Sequence, residues 1–444
     1  MTLPTRQQLE VDQLGPAIYP SPLRGHERCL DDHDRVLVSD SSLELSAALD
    51  RGAIPSFERA GPRETLFFEP ARTRCAIVTC GGLCPGENDV IRAIVLTLTH
   101  SYGVHQILGI RYGYAGLNPS PPEPPIELTL ERVENLHGQG GSLLASSRGP
   151  QQVSAMVDSL DRQRIDVLFA IGGDGTLRGA AALADEIRRR ALPIAVVGVP
   201  KTIDNDLQWI DRSFGFSTAV EEARRAITAA HIEAKGVWNG VGLLELMGRH
   251  SGFIAAHASL SNPHVNFCLV PELPFPIEGE CGLLWALERR LEARHHAVLV
   301  VAEGAAAEHR QPGQVRTDAS GNLRPGGVGS FLRDHIERYF HARGQDVNVK
   351  YIDPSYLIRS CPANATDAEL CLRLGQHAVH AAMAGRTRML VASWHGQFTH
   401  VPIALATAQG RQVHAKGPLW QSVLESTGQH MCLLGQRPGR DGAR

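Results

Sequence analysis

Two short stretches of this chain carry carboxylates where phosphate chemistry would need them. Residues 172–176 read Gly-Gly-Asp-Gly-Thr, and residues 200–206 read Pro-Lys-Thr-Ile-Asp-Asn-Asp. Glycines lack a Cβ, so Gly172, Gly173 and Gly175 allow a backbone to approach a polyphosphate closely. Asp174 is a hard oxygen ligand of the kind magnesium takes in ones or twos alongside phosphate oxygens. Asp204 is a candidate general base for an acceptor hydroxyl, with Asp206 close enough in the chain to shape its pKa or the metal shell. Phosphoryl transfer is mostly positioning and charge neutralisation, and the remaining parts are also present. Gly81-Gly82 opens a segment expected to be helical, whose N-terminal amides suit a phosphate. Arg148, in Ser146-Ser147-Arg148-Gly149, and Arg249, in Met247-Gly248-Arg249, are cations able to steady a transferring group. Singly, each has an ordinary explanation: a Gly-Gly pair marks a turn, and an Asp after glycines forms one. Together they fall at the ends of expected strands, where ligands of parallel sheets bind.

The elements that must position them read as alternating strands and helices. Apolar runs at Cys75 to Cys80, Gln106 to Ile110, Val167 to Ile171 and Ile194 to Val199 are expected strands. Helices are expected from about Glu87 to Thr99 and from Thr176 to Arg190, the first with Val90, Ile91, Ile94 and Val95 on one face. The pattern repeats downstream, with strands at Val241 to Leu246, Val265 to Val270 and Ala297 to Ala302. Helices are expected from Phe253 and over Gly282 to Arg294. Such alternation argues for an α/β protein with mainly parallel, Rossmann-like sheets in two facing domains. A cleft between two such halves is a common small-molecule site. Residues 1–70 carry Pro and charge clusters without this alternation and read as an extension that wraps the body or mediates assembly. Residues 305–328, rich in Gly, Pro and charge, read as a surface excursion.

A length of 444 residues fits two or three domains. The formal net charge of −3 points to neither a nucleic-acid nor a membrane partner. No apolar run approaches the ~20 residues needed to span a bilayer. The first 24 residues lack the apolar core of a signal sequence. A soluble cytoplasmic protein is expected. The nine cysteines are scattered through a long chain, so most of them are expected to be reduced thiols rather than a disulfide framework. Cys80 and Cys84 flank a Gly-Gly pair with no second Cys/His cluster, so they read as small apolar residues rather than zinc ligands.

In combination and order, the motifs resemble the phosphofructokinase family over about residues 74–410. The match includes Gly-Gly-Leu-Cys-Pro-Gly (81–86), Gly-Gly-Asp-Gly-Thr (172–176), Lys-Thr-Ile-Asp-Asn-Asp (201–206), Met-Gly-Arg (247–249), Pro-Glu (271–272) and Ala-Glu-Gly (302–304). The N-terminal extension and the segments Tyr-Leu-Ile-Arg (356–359) and Pro-Ala-Asn-Ala (362–365) look most like the long-chain branch of plants, kinetoplastids and some bacteria. The resemblance implies an ATP-dependent kinase of glycolysis acting on fructose 6-phosphate, an allosteric, cytoplasmic homo-oligomer. It implies a nucleotide-binding domain over 71–214, completed by 358–410, a sugar-phosphate domain over 215–357 and a tail over 411–444. Gly82, Arg148, Gly149, Gly173, Asp174, Gly175 and Thr176 would contact ATP, with Asp174 holding Mg2+. Asp204 would take the proton from the sugar 1-hydroxyl as it attacks the γ-phosphate, with Thr202, Arg148 and Arg249 assisting. Thr202, Ile203, Asp204, Met247, Gly248, Arg249, Glu303 and Tyr356 to Arg359 would bind the sugar phosphate, and Lys350 and Arg359 suit its 6-phosphate.

Two departures bear on this reading. Lysine at 201 is typical of pyrophosphate users in the family, but those enzymes usually carry an Asp where this chain has Gly175. An Asp there would fill space and repel the ATP phosphates, whereas glycine leaves room for a nucleotide. The long-chain ATP branch pairs this Gly with this Lys, so ATP is the expected donor and pyrophosphate the alternative. Short family members also carry an arginine at the position of Gly240 that reaches a neighbouring subunit's sugar phosphate. Lys235 or another residue would have to replace it. A non-catalytic sugar-phosphate-binding subunit is a further alternative, although its expected signature is loss of Asp174, Asp204 or Arg249, and all three are present.

Overall fold

The computed structural model describes residues 3–25, 29–50, 52, 54–309, 316–317, 323–324 and 327–429. The excursion expected at 305–328 and the last part of the 411–444 tail lie largely outside the described residues. The chain forms two compact units. Unit 1 comprises Met1–Ile203, Leu207–Gly215 and Arg359–Gln409, and unit 2 comprises Asp204–Asp206, Phe216–Ile358 and Gly410–Arg444.

Unit 1 is built on a nine-stranded sheet. Its parallel heart runs, in spatial order, Met389–Trp394, Ala195–Pro200, Val167–Gly172, Arg74–Thr79, Gln106–Ile110. The middle strands are apolar along their whole length because helices cover both faces, as parallel sheets require. Chain order reverses between Arg74–Thr79 and Val167–Gly172. The strand before the reversal leads into helix Glu87–Thr97, and the strand after it leads into helix Asp174–Arg189. That switch point is where open α/β sheets leave a crevice at their carboxyl ends. One edge continues antiparallel through Gln397–Pro402, Ser56–Arg59 and Arg35–Leu37, and the other through Ile126–Glu127.

The N-terminal extension thus supplies edge strands to the sheet. It is held by a buried ion cluster, in which Glu58 lies 2.9 Å from both Arg63 and Arg386 and 3.3 Å from His400. Burial pushes the Glu58 carboxyl up. The adjacent His400 ring and the guanidinium of Arg386 outweigh that and hold it well below the ordinary range.

Unit 2 has a four-stranded parallel sheet in the order Phe267–Leu269, His296–Ala302, Gly240–Leu246, Asn348–Ile352. Helices Phe216–Lys235, Phe253–Leu260, Leu283–Arg294 and Val328–His341 cover it. Helix Pro418–Thr427 belongs to this unit too, and beyond it Gln429 exchanges hydrogen bonds with the Cys268 backbone. The chain's C-terminal part is therefore built into unit 2 as far as it is described.

Candidate active site

In unit 1, parallel register brings three strand ends together. Thr79 pairs with Ile171, and Gly172 pairs with Pro200. The residues that follow, Cys80, Gly173 and Lys201, leave the sheet side by side. Segment 145–149 docks on the first of these turns. Thr79 Oγ1 donates to Ala145 O (2.8 Å), Ser146 Oγ to Gly81 O (2.6 Å) and Gly81 N to Ser147 O (3.3 Å). A Cβ on Gly82 would stand 3.1 Å from Arg148 Nη2. The guanidinium therefore lies close against the turn. Gly149, next to it, has φ +98°, a conformation glycine adopts without strain.

The second loop is tight where it leaves the sheet and open beyond. A Cβ on Gly172 would come 2.3 Å from Thr176 Cβ, so only glycine fits. Thr176 is buried, and its carbonyl accepts from Tyr114 Oη at 2.8 Å. Gly173 caps helix Asp174–Arg189, and Asp174 is that helix's first residue. Around Gly175 an added Cβ would meet nothing within 4 Å. Asp174 Oδ1 accepts from Arg178 Nε at 3.0 Å, and Arg178 Nη2 also donates to Thr407 O at 2.9 Å. Sequence reasoning missed Arg178, although an Asp and an Arg spaced i,i+4 on a helix are a visible signal. Among the described residues no cluster of three or more His, Cys, Asp or Glu could cage a metal. A half-exposed lone carboxylate at a glycine loop instead fits magnesium, which keeps several waters and binds largely through substrate phosphates.

Lys201 is the unexpected element. It is 4% exposed, and its ammonium donates to Gly82 O at 2.5 Å and lies 3.6 Å from Glu87 Oε1. Glu87 is buried too and accepts from Cys84 N at 2.9 Å. Burial pushes the Glu87 carboxyl up, with Lys201 and the Cys84 N–H working against it. Lys201 therefore ties the third strand end to the Gly81-Gly82 turn. Glu87 was legible only as an acidic residue in a helix's first turn.

Beyond Lys201, Thr202 and Ile203 complete this stretch of unit 1, and Thr202 O accepts from Ser213 Oγ. The chain then enters unit 2 at Asp204–Asp206. Asn205 turns it with φ +54°, a conformation asparagine tolerates. In unit 2, Leu246 and Ala302 are register partners, so Met247 and Glu303 emerge together. Glu303 N donates to Leu246 O (2.8 Å) and Gly304 N to Gly248 O (3.1 Å). Gly248 has φ +132°, and a Cβ on Gly304 would stand 1.9 Å from Arg249 O, so both glycines are required by the backbone. Ser251 Oγ donates to Asp204 O at 3.1 Å, joining the carboxylate turn to the Arg249 loop.

The remaining expected residues lie elsewhere in the fold. Tyr356 stands exposed on the short helix Ser355–Ser360. Arg359, on the same helix, groups with unit 1. Lys350 pairs with Gly242 in mid-strand, well short of the strand end that carries Met247. At Gly240 an added Cβ would come 1.9 Å from Ala234 O, so the backbone itself excludes an arginine there. Lys235 precedes that strand's start and so lies at the end opposite Met247.

Glycine turns flank the switch point of a doubly wound sheet, and the chain runs directly from one of them into a carboxylate turn tied to an arginine loop. Such an arrangement suits phosphoryl transfer. The phosphofructokinase family model matches residues 74–382, and the chain belongs to that family. It is 50% identical over 382 residues to the ATP-dependent 6-phosphofructokinase of Borreliella burgdorferi, covering 85% of this chain and 86% of that one. It is 43% identical over 431 residues to the ATP-dependent 6-phosphofructokinase of Trypanosoma brucei brucei, covering 95% and 88%. The crystal structure of a pyrophosphate-dependent phosphofructokinase from Marinobacter aquaeolei shares the fold, with a TM-score of 0.66 at 22% identity, over 83% of this chain and 94% of that one.

Proposed function

We propose that the protein is an ATP-dependent 6-phosphofructokinase. It transfers the γ-phosphoryl group of ATP to the 1-hydroxyl of fructose 6-phosphate, giving fructose 1,6-bisphosphate and ADP. Unit 1 is the nucleotide-binding part and unit 2 the sugar-phosphate-binding part. The observation that carries the choice of donor is the empty space around Gly175 beside a Lys201 already engaged by Gly82 O and Glu87. A nucleotide has room at the first, and the second is already held by a backbone carbonyl and a buried carboxylate. Close relatives named ATP-dependent support the same choice. The pyrophosphate reading rests on Lys201 alone.

In this reading Gly82, Gly149 and Gly173 to Thr176 present backbone to the donor phosphates, and Arg148 neutralises charge beside them. Asp204 accepts the proton of the 1-hydroxyl as it attacks. Arg249, Thr202, Ile203, Met247, Gly248, Glu303 and the Tyr356–Arg359 segment orient the sugar phosphate. Asp174 would hold Mg2+ together with the nucleotide phosphates, and the ion would supply charge neutralisation. The protein works in the cytoplasm as an allosterically controlled homo-oligomer in this proposal. Among the described residues no helix is long and apolar enough to cross a membrane. Initial rates with ATP and with pyrophosphate, each against fructose 6-phosphate, test the donor. Turnover with pyrophosphate and none with ATP would reverse it.

A further inference from the structure

The Pro271-Glu272 motif is used by neither the donor loops nor the acceptor loop, yet Glu272 sits at a junction in unit 2. Its Oε1 accepts two backbone N–H groups, from Gly252 at 2.9 Å and from Val413 at 2.8 Å. Gly252 caps helix Phe253–Leu260 and closes the loop that begins at Met247. Val413 lies on the segment by which the chain re-enters unit 2 at Gly410. On that segment Arg411 N donates to Asp206 O at 2.6 Å, and the Arg411 guanidinium lies 5.2 Å from the Phe253 ring centre. The Asp204 end of the same turn is held by Ser251 at 3.1 Å.

One carboxylate oxygen thus ties the Arg249 loop to the segment that holds the Asp204–Asp206 turn. Hydrogen bonds to an ionised acceptor are roughly twice as strong as neutral ones, which suits a clamp. The fit has no slack. A Cβ on Gly252 would come 2.3 Å from Val270 Cγ1 and 3.0 Å from Glu272 Oε2.

We infer that Glu272 is a positioning residue for the sugar-phosphate acceptor. By clamping the 247–252 loop and the 410–413 segment together, it keeps Arg249 in register with the Asp204 turn. The C-terminal segment is then part of the catalytic architecture, although none of its side chains need touch substrate. The inference rests on the acceptor reading of Met247 to Arg249 given above.

The test is steady-state kinetics of the full chain with Glu272→Ala, Glu272→Gln and Glu272→Asp, each checked for a cooperative melt. Losing the shared acceptor should raise KM for fructose 6-phosphate about tenfold or more in E272A, with KM for ATP within about twofold of wild type. E272Q keeps an oxygen acceptor at the same reach and should recover most of that loss. E272D keeps the charge but withdraws the acceptor by one methylene. It should show the raised KM even if E272A fails to fold. A residue that only supported the fold would lower the melting temperature without splitting the two KM values. A folded E272A or E272D with an unchanged KM for fructose 6-phosphate would overturn the inference alone. A wild-type chain that never turns over fructose 6-phosphate would sink the functional reading and the inference with it.

Discussion

Gly175→Asp separates a space argument from a folding argument. Gly175 lies in the first turn of helix Asp174–Arg189, with helical backbone and nothing within 4 Å of an added Cβ. The fold should accept the new side chain. A carboxylate in the first turn complements the helix dipole, and removing a glycine lowers unfolded-state entropy. Stability should stay level or rise by about 0.5–1 kcal/mol. The cost should fall on the nucleotide, because the carboxylate would project into the space assigned to its phosphates. A like charge about 5 Å away, at an effective dielectric of about 20, costs about 3 kcal/mol. That corresponds to roughly a hundredfold or more in kcat/KM for ATP. Gly175→Ala is the control, since a methyl group carries no charge and meets no neighbour. The assay is coupled fructose 1,6-bisphosphate production over a range of ATP, alongside thermal melting. A Gly175→Asp chain of unchanged stability whose kcat/KM for ATP stays within about threefold of wild type would refute the steric and electrostatic basis for ATP use.

Three other changes follow from the geometry. Asp204→Asn removes the proposed base while keeping shape, so kcat should fall by about 10²–10⁴ with KM for fructose 6-phosphate little changed. A kcat above about a tenth of wild type would assign the proton to another group. Lys201→Met strips the buried Glu87 of its cation and should cost about 3 kcal/mol, seen as a lower melting temperature. Lys201→Met with Glu87→Gln should regain most of it, and a wild-type melt for Lys201→Met alone would show that the pair does not hold the turn. Stability should also fall in acid. Burial holds His377 at about 3 and His380 at about 4, below the ordinary 6.5, so the unfolded chain takes up protons first. The contribution is full above pH 6.5 and shrinks as pH falls toward those values, by about 4 kcal/mol between pH 7 and pH 5 for the two together. Denaturant titrations at the two pH values read it, and equal midpoints would contradict it.

The parts of the site that were legible in the sequence are those written locally. Strands Gln106–Ile110, Val167–Gly172 and Gly240–Leu246 are short apolar runs closed by turn residues or motif loops. Their periodicity and punctuation locate them within a residue. The loops that follow inherit that precision, so the segments carrying Asp174 and Arg249 could be located in advance. What stayed hidden depends on residues far apart in the chain. Glu58 of the extension meets Arg386 across 328 positions, and nothing in residues 1–70 announces an edge strand. Glu87 meets Lys201, and Glu272 meets Val413, only because a sheet and a returning segment place them side by side. Lys350 illustrates the same point from the other side. The family resemblance suggested it for the sugar 6-phosphate, and its mid-strand position beside Gly242 could not be read from the sequence. Register is a property of paired strands and cannot be read from one of them.

In the proposed reaction the terminal phosphoryl group of ATP moves to the 1-position of fructose 6-phosphate. Phosphorus NMR of purified protein with Mg2+, ATP and fructose 6-phosphate follows that group directly. The γ-phosphate signal should fall as ADP and a new 1-phosphate ester signal rise in equal amounts. ATP left intact, with the same ester forming only when pyrophosphate is supplied, would contradict it.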